Sequence, residues 1–267
     1  VGPTGCGKTT SLHSVIRDLN TSDRKIWTAE DPIEITQSGL RQVQMNARIG
    51  WTFAAAMRTF LRADPDVIMI GEMRDEETAR IAIEASLTGH LVLSTLHTNS
   101  APESIARLLE IGLDPFNFSD SLLAILAQRL VRRLCTQCRE PHAAHHDTLQ
   151  AMASQYLESS AANSAEARDA LIARWRKAYG KDDGSITLWR RQGCPQCESH
   201  GYKGRMGIHE LMLSDEPIRQ HLRHRSSATE SRLSALAAGM KTLRQDGIEK
   251  VLQGLTDMSE VTAATNL

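Results

Sequence analysis

Gly2-Pro3-Thr4-Gly5-Cys6-Gly7-Lys8-Thr9 stands almost at the start of the chain and reads Gly-x-x-x-x-Gly-Lys-Thr, the Walker A or P-loop pattern. Glycines let the backbone turn tightly enough for successive N–H groups to face a phosphate. Lys8 brings a point charge to the β and γ oxygens, and Thr9 offers its hydroxyl to Mg2+. The stretch predicts a nucleoside triphosphate site, with Gly2, Pro3, Thr4, Gly5, Cys6, Gly7, Lys8, Thr9 and Thr10 as its nucleotide contacts. A P-loop needs a buried strand feeding into it. Only Val1 precedes this one and no initiator Met is present, so the expectation is the C-terminal portion of a longer protein.

Outward from the loop, Lys8–Leu19 is expected to be a helix and Lys25–Ala29 a strand ending at Glu30-Asp31-Pro32. Arg41–Met45 reads as a short strand, Thr52–Ala63 as a helix and Val67–Ile70 as a buried strand ending at Gly71-Glu72. Asp75–Thr88 is a helix closed by Gly89, His90–Thr95 another strand, and Ala101–Glu110 a helix with Pro102 in its first turn. Strands alternating with helices predict an α/β P-loop core with a mostly parallel sheet covered on both faces. From about Asp114 the texture turns helical. Ser119–Leu134 carries Leu122, Leu123, Ile125, Leu126, Leu130 and Leu134 and reads as a helix. Residues 139–193 read as an inserted helical excursion containing the Ala- and Ser-rich stretch Ala151–Ala173. Gly201–Arg205 is expected to be a loop, with three or four amphipathic helices beyond it. The domain division drawn from this is 1–113 and 114–267.

The 267 residues carry 31 basic and 32 acidic side chains, which gives no overall footprint for nucleic acid. The local basic runs Arg129–Arg133 and Arg219–Arg225 read as solvated helix faces. No apolar run approaches the ~20 residues that span a bilayer. Of five cysteines, Cys6 lies inside the P-loop, while Cys135-x-x-Cys138 and Cys194-x-x-Cys197 form two tight pairs. A chain that handles ATP belongs in a reducing compartment, so metal explains the pairs better than disulfides. Four thiolates arranged tetrahedrally predict a closed, structural Zn2+ site, although the intervening residues exceed the common spacing of roughly 15–20. The alternative is incidental reduced thiols. His142, His145 and His146 read as solvated loop residues.

Two acids stand just past strands. Glu72 follows the apolar run Val67–Ile70 and reaches the sheet's C-terminal edge, where a Walker B acid lies; its alternative is a carboxylate complementing a helix dipole. Glu30 opens the cluster Glu30-Asp31-Pro32-Ile33-Glu34, whose alternative is an ordinary acidic turn. Phosphoryl hydrolysis needs one group for the water and another for Mg2+, so two such acids suit two roles. His97 closes Thr88–Asn99 beyond a third strand, on the same expected edge, in reach of a γ-phosphate. His90 reads as structural.

Together these segments resemble the secretion ATPase superfamily, specifically the type II secretion and type IV pilus assembly ATPases, over essentially the whole chain from Gly2 to Asn266. Leu61–Asp75 is the most specific signature. The resemblance implies a RecA-like core with Gly2–Thr9 as Walker A, Glu30–Glu34 in the aspartate box, Glu72 in Walker B and His90–His97 as the histidine box. It implies that Glu30 acts on the attacking water, that Glu72 with Thr9 holds Mg2+, that Lys8 completes the catalytic set and that His97 senses the γ-phosphate. Cys135, Cys138, Cys194 and Cys197, together with Gly201–Glu210, resemble the zinc-bearing assembly branch. The implied protein is an ATP-hydrolysing homohexamer, cytoplasmic and peripheral to the inner membrane, working with an inner-membrane platform and cytoplasmic adaptor proteins to assemble a pilus or pseudopilus. An upstream domain would supply arginines to a neighbour's nucleotide. Rival readings are a nucleotide-dependent scaffold with little turnover, against which intact Lys8, Glu30 and Glu72 argue, and a nucleic-acid translocase, which the near-neutral charge disfavours.

Overall fold

Val67-Ile68-Met69-Ile70 is apolar at every position, as a strand covered on both faces must be, and in the computed structural model all four residues are buried. The structure describes residues 1–158 and 163–266; residues 159–162 of the Ala- and Ser-rich stretch and residue 267 lie outside the described residues. The chain begins with α1 (Lys8–Leu19), β1 (Ile26–Glu30), β2 (Arg41–Gln44), α2 (Phe53–Phe60), β3 (Val67–Ile70), α3 (Glu76–Leu87), β4 (Leu91–Ser94) and α4 (Ala101–Glu110). Then come α5 (Pro115–Ser121), β5 (Ala124–Leu134), β6 (Glu140–Ala143), α6 (His146–Tyr156), α7 (Ala165–Tyr179) and β7 (Thr187–Arg190). The last elements are β8 (Tyr202–Leu213), α8 (Glu216–Arg223), α9 (Ala228–Ala237), α10 (Leu243–Leu252) and α11 (Met258–Thr265). Two compact units emerge: Val1–Gln128 with Leu211–Met240, and Arg129–Glu210 with Lys241–Leu267. Two of the three divisions fall inside β5 and β8 and the third between α9 and α10, whereas the boundary drawn from sequence at 113 and 114 falls between α4 and α5.

The first unit is built on a wholly parallel sheet in the order β2-β1-β3-β4. Alternation along β3 sends Ile68 and Ile70 toward Met57 and Phe60 of α2 and Ile81 and Ala85 of α3. Val67 and Met69 face the other way, onto Ile16 and Leu12 of α1. Thr52, Asp75, Ser100 and Asp114 cap α2, α3, α4 and α5 with side-chain oxygens that accept backbone N–H groups. A further apolar cluster joins α4, α5, α8 and α9 with Ile125 and Ala127 of β5 and Met212 of β8.

The expectation of a helix over Ser119–Leu134 is corrected. α5 ends at Ser121, and Ala124–Leu134 is a strand paired with β8. Leu122, Leu126, Leu130 and Leu134 recur at a helical interval, but the chain buries the alternate set Ile125, Ala127, Arg129 and Val131, together with Gln128 and, of those leucines, Leu134 alone. Both periods are written into this stretch, and partner pairing with β8 decides between them. The solvated-helix reading of Arg129–Arg133 falls with it, since these residues lie in β5 and Arg129 is buried. Gly201–Arg205, expected to be a loop, instead runs into β8.

The second unit has its own core. Residues 139–193 are not purely helical: β6 and β7 form an antiparallel pair, and α6 and α7 pack with Ile248, Val251 and Leu252 of α10 and Val261 of α11. Tyr156 and Trp175 meet edge to face with ring centroids 5.6 Å apart. Within this unit the Arg132 backbone N–H and guanidinium donate to both oxygens of Glu260 at 2.6–3.0 Å, and the guanidinium stacks over Tyr202.

Burial alone would raise the Glu260 carboxyl, but the bonds from Arg132 hold it below its ordinary 4.5. A depressed folded value means that the stabilisation is present above the unfolded value and is lost as pH falls through the folded one. The guanidinium is half exposed and screened, so the contribution should be on the order of 1 kcal/mol. Denaturant titration at about pH 7 and about pH 4 should find this increment reduced at the lower pH and still falling below it, and Glu260→Gln should remove it at both. An unaltered acid limb in Glu260→Gln would contradict the assignment.

Candidate nucleotide site and tetracysteine centre

A parallel sheet delivers every strand's carboxyl end to one edge. Here Ala29 lies opposite Ile70, and Ile70 opposite Ser94. The chain stays stitched beyond the strands: Gly71 N–H donates to Ala29 O (2.8 Å), Met73 N–H to Thr95 O (3.0 Å) and Gly2 N–H to Leu96 O (3.2 Å). Thr95 Oγ1 adds a bond to Gly71 O at 2.6 Å. The phosphate loop, Glu30, Glu72 and His97 therefore share one edge, as the sequence predicts.

In the loop, Gly5 and Gly7 adopt φ of 79° and 89°, which side chains disfavour. Lys8 Nζ donates to the carbonyls of Gly2 (2.7 Å) and Pro3 (3.0 Å), so its ammonium lies over the loop. Cys6 is buried, Thr9 is half-buried and Thr10 is exposed. Unlike α2–α5, helix α1 receives no side-chain cap, and it has no acid in its first turn, whereas α3 and α4 do. Its leading N–H groups thus suit an anion, which fits a nucleotide phosphate.

The two acids occupy different surroundings. Glu30 is 3% exposed and accepts from three side chains: Thr28 Oγ1 (2.6 Å) and Gln42 Nε2 (2.9 Å) at one oxygen, His13 Nε2 (3.1 Å) at the other. Gln37 Nε2 donates to His13 O (2.8 Å) and lies 3.0 Å from His13 Nδ1. An amide N–H at Nδ1 leaves the imidazole proton on Nε2, aimed at Glu30. Glu72 is ion-paired with Arg74, and its other oxygen lies 3.4 Å from His97 Nε2. The Glu72 contact raises the Arg74 guanidinium above its ordinary value. His97 is half exposed. His90 contacts Ala85 O (2.9 Å) and Thr88 Oγ1 (3.1 Å), which suits its structural reading.

Sequence reading passed over His13, Gln37, Gln42, Arg74 and Gln128. A polar residue on the buried side of a P-loop helix, three before Ile16, was the available signal for His13. For Gln128 it was an amide inside an apolar run, masked by the helical reading of that run.

In the second unit the four knuckle cysteines converge, with all sulfurs within 4.8 Å of one another. Measured pairs are Cys135–Cys194 at 3.9 Å and Cys138–Cys197 and Cys194–Cys197 at 3.7 Å. These separations exclude disulfides. A tetrahedron with metal–sulfur distances of about 2.3 Å has edges of about 3.8 Å, so the cluster fits a tetrahedral thiolate site. Burial pushes the Cys138 thiol up to about 12. Against the same burial, the N–H groups of Cys194 and Gly201, each 3.2 Å from Cys197 Sγ, draw that thiol down to about 6. Such N–H bonds also orient a metal ligand.

Residues 1–263 match the family described as Type II/IV secretion system protein. The chain is 44% identical over 265 residues to the type II secretion system ATPase E of Vibrio cholerae, covering 99% of this chain and 47% of that protein. It is 44% identical over 264 residues to the type IV pilus assembly ATPase PilB of Thermus thermophilus, covering 99% of this chain and 27% of that protein. The chain thus spans half or less of the length of the curated relatives it matches. Among solved structures, the pilus retraction motor PilT with bound ADP superposes with a TM-score of 0.66 at 26% identity, covering 100% of this chain and 60% of that one.

Protein purified without chelator or metal-affinity resin should carry one tetrahedral thiolate-bound ion per chain by elemental analysis. Cys135→Ser or Cys197→Ser should lower the ion content and loosen the second unit while leaving phosphate-loop contacts in place. A metal-free preparation that melts like the loaded one would overturn this.

Proposed function

The chain belongs to the Type II/IV secretion system protein family, and from that membership we propose that it is the ATP-hydrolysing motor of a type II secretion or type IV pilus assembly machine. What carries the reading is one backbone bond, Gly2 N–H to Leu96 O, which ties the phosphate loop to the end of β4, next to the ends of β3 and β1. Lys8, Glu72 and His97 are thereby gathered at one end of a sheet whose P-loop helix is uncapped. Lys8 exchanges the carbonyls of Gly2 and Pro3 for β and γ oxygens. Thr9 offers its hydroxyl to Mg2+, which would neutralise phosphate charge when bound.

The division of labour between the acids follows from their surroundings. Glu30 is committed to three donors in the interior, so its work is to hold α1 against β1 and β2. Glu72, at the open edge, takes the water-orienting role that the family resemblance gives to Glu30. His97, beside it, reads the γ-phosphate. The tetracysteine centre holds Zn2+ as a structural ion. The working particle is a homohexamer, peripheral to the cytoplasmic face of the inner membrane, that engages a membrane platform and cytoplasmic adaptors. Among the described residues no helix is long and apolar enough to cross a membrane.

In the full-length protein, Glu72→Gln should keep Mg·ATP binding and lose turnover by roughly 10²-fold or more, the scale of a lost general base. Glu30→Gln should lower the thermal midpoint of the nucleotide-free protein and reduce binding and turnover together, while Lys8→Ala should impair both without lowering that midpoint. A Glu30→Gln protein as stable as wild type, with only turnover lost, would return the base to Glu30.

A further inference from the structure

Gln128 lies in β5, far along the chain from the phosphate loop, and nothing in the Gly2–Thr9 motif requires it. Its side chain is buried, with 5% of the residue exposed. Nε2 donates to the Cys6 carbonyl at 2.7 Å, and Oε1 accepts from the Ser11 hydroxyl at 2.6 Å. Its backbone N–H donates to Val1 O at 3.0 Å. One residue thus holds the chain entering the loop, the floor of the loop and the first turn of the helix leaving it.

We propose that Gln128 is a positioning residue for the nucleotide, acting through the Cys6–Gly7 peptide; the inference rests on the ATP reading above. A trans peptide carries its carbonyl and the following N–H on opposite sides. Among the described residues only Asp31–Pro32 is cis, so anchoring the Cys6 oxygen on Gln128 sends the Gly7 N–H the other way, away from β5. The loop does not select this orientation by itself. On its Gly7 side the peptide meets no side chain that would oppose reversal. The other backbone bond at this residue, Cys6 N–H to Pro3 O at 3.3 Å, holds the nitrogen side and leaves the carbonyl free to rotate. A reversed peptide would turn a carbonyl dipole toward the phosphates in place of a donor. The Cys6 oxygen also decides which end of the Gln128 amide faces it, because only the nitrogen carries a proton to give; Ser11 then donates to the oxygen.

The experiment uses the full-length protein. Gln128→Glu is isosteric and, read at a pH where it is ionised, still accepts from Ser11 but has no proton for Cys6. Gln128→Met keeps the volume and loses both bonds. Ser11→Ala leaves the Cys6 bond alone. Melting without nucleotide reports folding, fluorescent-ATP titration gives Kd, and steady-state turnover separates KM from kcat. Kd and KM should rise together by roughly 10- to 100-fold in Gln128→Met and by more in Gln128→Glu, the scale of one hydrogen bond supporting a charged ligand. kcat at saturating ATP should stay within about threefold, as for a contact made equally in ground and transition states. Ser11→Ala should bind within about threefold of wild type, since the donor to Cys6 remains. Because an apolar replacement can unfold a buried site, Gln128→Glu is the deciding variant. Folded Gln128→Glu with wild-type Kd, or with reduced kcat at unchanged KM, would overturn the inference. Wild-type protein that binds no ATP would overturn the nucleotide reading instead.

Discussion

Parallel pairing is the constraint on which the first unit depends. Strands that run the same way must be joined by crossovers, and those crossovers become the helices that cover both faces of the sheet. The same geometry carries the end of every strand to one edge, where side chains released from pairing are free to do chemistry. Three backbone bonds extend this order past the strands, from Gly71 to Ala29, Met73 to Thr95 and Gly2 to Leu96. The phosphate loop, the Glu72 turn and the His97 segment are thereby held in register with each other although each is irregular in itself.

Charge is handled in two ways within a few residues of that edge. At Glu30 the carboxylate is withdrawn from water and met by neutral donors, Thr28, Gln42 and His13, which satisfy it without adding a cation. At Glu72 the partners are Arg74 and His97, both well exposed. A buried acid surrounded by fixed dipoles is costly to move, whereas an edge acid whose partners are solvent-exposed exchanges them readily. That contrast, more than distance along the chain, separates a carboxylate that holds elements together from one that meets a substrate.

Much of this was legible in the sequence, for physical reasons that differ by region. Val67–Ile70 is an unbroken apolar run of strand length and Ala101–Glu110 carries a single helical period, and the observed bounds coincide with those read from the residues. The cysteine pairs were equally plain, because two short-spaced thiol pairs have few other uses. Ser119–Leu134 misled because leucine spacing and residue alternation point to different structures there, and only the long-range partner β8 resolves them. The β6–β7 pair escaped notice because Pro141 and the charged Glu140 and Arg190 disguise its strands. Gln128 and His13 each showed only as a polar residue on an apolar face, because their partners lie in segments that no local window contains.

The Glu30 network also sets terms for how this protein can change. Thr28, Gln42, His13 and Gln37 are separate in sequence but answer to one carboxylate and one imidazole. Replacing any of them alone strands a buried donor or acceptor, a loss of roughly 1–3 kcal/mol. Position 13 therefore accepts only a side chain that brings an N–H or O–H to the same oxygen, and position 42 only one that donates to Glu30. Even exchange of the whole set for apolar residues, Glu30 included, would strand the Gln37 backbone N–H and the Ile35 carbonyl, which Gln42 pairs at 2.9 and 2.8 Å. Drift at these positions is accordingly expected in concert, as compensated pairs, with single steps disfavoured.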